Sequence, residues 1–180
     1  MFGFSALLTF VIVVLLMPVL ARIAIRIDLL DQPGGRKAHK GNIPLVGGLA
    51  MFLAFIFGLL TLDEPLGAVR ALGAGAGLLL VIGILDDMHE LSSRLRFVAQ
   101  IVASLLMVFW GDVQLYDLGR LVTDTPVSLG FLSIPITVFI VVGVINALNM
   151  IDGVDGLAGT VSLISVVGMM VLAWVAGAEL

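Results

Sequence analysis

Three stretches of this sequence carry groups able to do chemistry in an otherwise apolar chain. Asp86 and Asp87 stand side by side after the apolar run 78–85. The C-terminal end of a helix already presents partial negative charge, so each carboxylate there is disfavoured by about 0.3–1 kcal/mol, and adjacent like charges repel. A divalent cation, or a nearby Lys or Arg, relieves both effects; magnesium takes one or two carboxylates together with phosphate oxygens and water. The plain alternative is two acids marking a membrane interface. Further on, Asn146, Asn149, Asp152 and Asp155 recur at every third position, followed or interleaved by Gly153, Gly156 and Gly159. On a helix, neighbouring members of such a series share a face, and the glycines predict a break around Gly153 and Gly156. Broken helices at membrane depth are tolerated where they line an enclosed or wet cavity, and ionisable side chains there read as functional. The alternative is a turn with Asx capping; the spacing does not fit an EF-hand loop, which needs ligands through a bidentate Glu. The third stretch runs from Arg36, Lys37, His39 and Lys40 to Gly47-Gly48. Its cations can neutralise phosphate, and its glycines let backbone N–H groups approach an anion closely. It also reads as a simple topogenic basic loop.

The elements that must position these groups are membrane spans. Of the 180 residues, 61% are hydrophobic and only 12% charged, against roughly a quarter charged in a soluble domain, and the mean hydropathy is +1.22. A soluble globular domain, a disordered chain and, with no cysteine, a disulfide scaffold are excluded. The net charge of −4 and the lack of a long basic patch exclude nucleic acid as a partner. Crossing ~30 Å of hydrocarbon takes about 20 residues at ~1.5 Å each. Apolar stretches at 3–22, 44–62, 67–85, 96–111, 131–149 and 158–177 meet or approach this, the fourth needing extension into its polar neighbours. The fold class expected is therefore all-α: a polytopic integral membrane protein of about six transmembrane helices, in one domain over 1–180. Arg22, Arg26, Arg36, Lys37, Lys40, Arg94 and Arg96 fall on one side, and only Arg70 and Arg120 on the other. By the excess of cytoplasmic Lys and Arg, the side with the acidic pair faces the cytoplasm and both termini are extracytoplasmic. The segments 63–65 and 112–125 then read as outer connectors. The first span lacks a preceding basic residue and is long for a signal peptide.

In order along the chain, Asp31-Gln32-Pro33 through His39, Ile43-Pro44-Leu45-Val46-Gly47-Gly48, Leu85-Asp86-Asp87 and Asn146–Leu157 resemble the motifs of the polyprenyl-phosphate N-acetylhexosamine-1-phosphate transferases. The likeness is to the undecaprenyl-phosphate N-acetylglucosamine-1-phosphate branch, with the phospho-muramoyl-pentapeptide transferases more distant. The resemblance implies an enzyme of the bacterial inner membrane with a cytoplasmic active site. It would transfer N-acetylhexosamine 1-phosphate, expected to be the N-acetylglucosamine form, from a UDP-sugar to undecaprenyl phosphate. The products are a lipid-linked sugar diphosphate and UMP, at the first step of a cell-envelope polysaccharide. It further implies a magnesium cofactor, with manganese as a substitute, and allows a homodimer. By similarity, Asp86, Asp87 and Asp152 are catalytic, with Asp86 and Asp87 also the metal-side carboxylates. Asn149, Asp152 and Asp155 bind the nucleotide sugar, and Arg36, Lys37, His39 and Lys40 bind phosphate.

Members of that family are considerably longer. A later Gly-Asp segment that supplies a metal ligand and a histidine-rich loop have no counterpart here, where His39 and His89 are the two histidines. The expectation is that these residues form an N-terminal half, inactive by itself. Two other readings compete. An intramembrane prenyltransferase would use Asp86–Glu90 and Asn149–Asp155 as aspartate-rich motifs but leaves 36–48 unexplained. A transporter or lipid-binding half-protein would use a broken fifth helix, yet the acids cluster at an edge of the spans, away from their midplane.

Overall fold

The computed structural model describes residues 2–31, 43–62, 66–120, 125–152 and 156–177. Within these, α1 (Phe2–Arg26) is followed by a two-stranded ribbon of β1 (Leu30–Asp31) and β2 (Ile43–Pro44). Then come α2 (Gly47–Leu59), α3 (Leu66–His89), α4 (Ser93–Gly111), α5 (Ser133–Ile151, after a 3-10 turn at Gly130–Leu132) and α6 (Leu157–Val175). Five helices are long and apolar enough to cross a membrane. The second expected span is the exception. Residues 43 and 44 pair in the ribbon and a turn occupies 45 and 46, so α2 has 13 residues. At ~1.5 Å per residue it is about 20 Å long, short of the ~30 Å hydrocarbon layer. The fourth span gains length from Ser93–Arg96, as its polar flank suggested. Ser92 caps it, accepting from the Leu95 amide at 3.4 Å.

Packing follows membrane logic. The buried residues are mostly small: Ala24, Ala50, Ala54, Ala71, Ala99 and Ala103, each 6% exposed or less. Large apolar side chains point outward instead, with Phe131 at 89% and Phe139 at 78% exposure. Between helices in lipid there is no hydrophobic drive, and small residues let backbones approach. Thus Ala50, Ala54 and Gly58 line the face of α2 against α1, where a Cβ on Gly58 would collide with the Thr9 hydroxyl. Ser5 and Thr61 close that contact through a 2.7 Å hydroxyl pair. The broadest helix contact, α3 on α4, uses Ala71 and Gly75 opposite Ala103 and Gly111. Gly73 and Gly77 of α3 receive Ile56 and Phe52 of α2. Pro18 lies inside α1 without breaking it, which lipid-embedded helices tolerate.

The stretch between α4 and α5, expected to be a plain connector, is folded back on itself. Asp117 and Ser128 form an antiparallel bridge, and Ser133 donates to the Leu115 carbonyl at 2.6 Å while Thr137 accepts from the Leu115 amide at 2.9 Å. This hairpin lies at the opposite end of α4 and α5 from the acidic pair.

Candidate functional site

At one end of the bundle, α1 stops, α2 starts, α3 stops and α4 starts. Asp28 follows α1 with φ of 58°, and the Leu29 amide reaches back to the Ala24 carbonyl at 2.9 Å. This is the left-handed helix stop usually given to glycine. Glu90 repeats it after α3, at φ 48°, with its amide on the Asp86 carbonyl at 2.8 Å. Both are acidic residues at helix C-termini, in a backbone region that costs an L-residue roughly 1–2 kcal/mol. They line the same cleft of about 730 Å³, together with Asp87, Met88 and His89 of α3, and Ile27, Leu30, Leu45 and Ile84 supply its apolar wall. The ribbon forms the cleft's edge through Leu30 and pairs Asp31 with Ile43.

The two aspartates of the pair have different surroundings. Asp86, with 23% of its side chain exposed, takes a 3.0 Å bond from Nη1 of Arg96, whose Nη2 also donates to Ser93 at 3.3 Å. Asp87, a further 100° round the helix, lies on the cleft. Asn149 occupies the last turn of α5 and Asp152 follows it; both are exposed. They sit across α4 from the cleft, whose walls among the described residues are drawn from the α1, α2 and α3 ends. Asp155, Arg36, Lys37, His39 and Lys40 lie outside the described residues. The break expected near Gly153 and Gly156 is present: α5 ends at Ile151 and α6 begins at Leu157, with Gly156 at φ 77°.

For a metal, the chemistry of the cleft is apt but incomplete. Its carboxylates are hard oxygen donors, the kind magnesium takes in ones and twos with substrate phosphates completing the shell. No cluster of three or more potential ligands is assembled among the described residues.

In the sequence Arg96 counted only toward topology and Glu90 only as the end of the Asp86–Glu90 run, while Asp28 and Gln100 were not singled out. The signal for α4 was available: Arg96, Gln100 and Ser104 repeat at four-residue spacing in an apolar span, one polar stripe on one helix face. Asp28 and Glu90 gave none, because their meeting depends on two helix ends far apart in sequence.

Residues 69–179 match the family model described as glycosyl transferase family 4. The chain is 34% identical over 133 residues to the probable undecaprenyl-phosphate N-acetylglucosaminyl 1-phosphate transferase of Bacillus subtilis (strain 168), covering 73% of this chain and 37% of that protein. It is similar at 35% over 120 residues to the undecaprenyl-phosphate alpha-N-acetylglucosaminyl 1-phosphate transferase of Yersinia pestis (67% and 33%). The Haemophilus influenzae protein of the same description is 36% identical over 135 residues (75% and 38%). The chain thus spans between a third and two fifths of the length of these relatives. No solved structure matches it.

Proposed function

From the chain's membership of glycosyl transferase family 4, we propose that it takes part in transferring N-acetylglucosamine 1-phosphate from a UDP-sugar to undecaprenyl phosphate. An oxygen of the lipid phosphate bonds to the sugar-bearing phosphorus of the donor. The bond from that phosphorus to the bridging oxygen breaks, and UMP leaves with the electron pair. The observation that carries this reading is the acidic end of α3, where Arg96 holds Asp86 and Asp87 faces a cleft at the rim of the membrane spans. A water-soluble nucleotide and a lipid head group can meet only at such a rim.

The residues divide the work. Asp87 orients the lipid phosphate or takes its proton, while Asp86 is held in place by Arg96. Asn149, Asp152 and Asp155 bind the nucleotide sugar, and Arg36, Lys37, His39 and Lys40 neutralise phosphate. Asp86 and Asp87 would hold magnesium or manganese, which supplies charge neutralisation at the phosphoryl oxygens. The positive-inside excess supports a cytoplasmic position for this end, and the proposed setting is the bacterial inner membrane, at the first step of an envelope polysaccharide.

A chimaera tests the substrate assignment. This chain's matched residues replace the corresponding ones of the Bacillus subtilis relative, in membranes given undecaprenyl phosphate and UDP-N-acetylglucosamine. Lipid-linked N-acetylglucosamine diphosphate is expected, with UDP-glucose giving none. A folded chimaera forming no such lipid would refute the reading.

A further inference from the structure

The polar stripe of α4 does more than decorate a span. Gln100 is 8% exposed, in the membrane-spanning part of α4. Its side-chain oxygen accepts a 2.6 Å bond from Nδ2 of Asn146 on α5. The same nitrogen donates to the Val142 carbonyl one turn back at 2.8 Å, which fixes the orientation of the Asn146 amide and requires that Gln100 turn its oxygen toward it. Ser104 donates to the Gln100 carbonyl at 2.7 Å. One turn before Gln100 on the same face is Arg96, which holds Asp86 of α3. One turn beyond Asn146 is Asn149, with Asp152 following. The contact of α5 with α6 is slight beside its contact with α4, so α4 is the strut through which the end of α5 is placed relative to α3.

We propose that Gln100 is a positioning residue: its amide pair with Asn146 sets the register between the Asn149–Asp152 end of α5 and the Asp86–Asp87 end of α3. The geometry stands by itself; only the consequence for transfer rests on the function proposed above. An amide pair suits the task because it is directional and uncharged. In hydrocarbon the alternatives are an apolar contact, which leaves α5 free to slide or rotate, and an ion pair, which is costly to bury. A slip of α5 by one residue would move Asn146 and Asn149 together, about 1.5 Å along and 100° round relative to α4.

The test uses the full chain in liposomes. Because the sequence has no cysteine, cysteines placed at Met88 and Met150, 55% and 84% exposed, take spin labels whose separation pulsed electron paramagnetic resonance reads. The parent should give one narrow distance. Gln100→Leu should raise the share of displaced distances by about three- to tenfold, the range that one interhelical hydrogen bond in a membrane supports. The exchanged pair, Gln100→Asn with Asn146→Gln, should restore the narrow distance. Should Gln100→Leu not fold, Asn146→Ala breaks the same bond from the less buried side and should broaden the distribution alike. A parent-like distribution in whichever of these folds, or an exchanged pair as broad as the single variant, would overturn the proposal. The distance needs no turnover, so it decides the matter whether or not the chain transfers a sugar phosphate.

Discussion

Asp86 and Asp87 are adjacent in sequence but face different surroundings. A helix turns 100° per residue, which sends Asp86 to Arg96 and Asp87 to the cleft. The Asp86–Arg96 pair is partly exposed, 23% and 39% for the two side chains, so breaking it should cost little stability. Arg96→Met is expected to lower unfolding free energy by about 0.2–1 kcal/mol, read by thermal unfolding in detergent, while lowering transfer far more, because Asp86 loses its anchor. Glu90 makes the opposite case. Its left-handed backbone and its carboxylate at a helix C-terminus both oppose folding, so Glu90→Gly should raise stability by roughly 1 kcal/mol in the same melt; a lowered melting point would contradict the strain argument. The sequence showed the acidic pair and its need for a counter-charge. It did not show which cation answers, because Arg96 reaches Asp86 only once the turn between α3 and α4 is formed.

Between elements, contacts are set by what is missing at glycines. A Cβ on Gly111 would lie 2.8 Å from the Ala71 Cβ, and neither group can rotate away, whereas one on Gly83 meets nothing within 4 Å. Gly111→Ala should therefore destabilise by about 1–3 kcal/mol through overpacking of α3 on α4. Gly83→Ala should be neutral or stabilising by up to roughly 1 kcal/mol. Equal melting points for the two would refute this packing. Hydropathy located the five long apolar helices, and the glycines after Asp152 located the end of α5, since both signals are local. It overestimated α2, because Pro44 and its neighbours are as apolar as a span but are hydrogen-bonded as a ribbon. The bridge of Asp117 with Ser128 was equally hidden, its strand being held at Leu115 through the hydroxyls of Ser133 and Thr137.

For the whole molecule, small residues inside and large apolar ones outside agree with what composition alone required of a membrane protein. Orientation is the property that connects this architecture to its substrates. A cysteine at Val127 should react with an impermeant thiol reagent added outside intact cells, and one at Met88 should react only after lysis; the reverse pattern would put the acidic end on the wrong face for a cytoplasmic nucleotide sugar. On the proposed function the cleft carboxylate of α3 takes part in the transfer, which UMP release by the chimaera measures. Asp87→Asn, which keeps shape and removes charge, should slow release by about 10²–10⁴-fold, while Val127→Ala on the far hairpin leaves it within twofold, roughly the spread of a surface change. UMP released by Asp87→Asn at the parent rate would contradict the account.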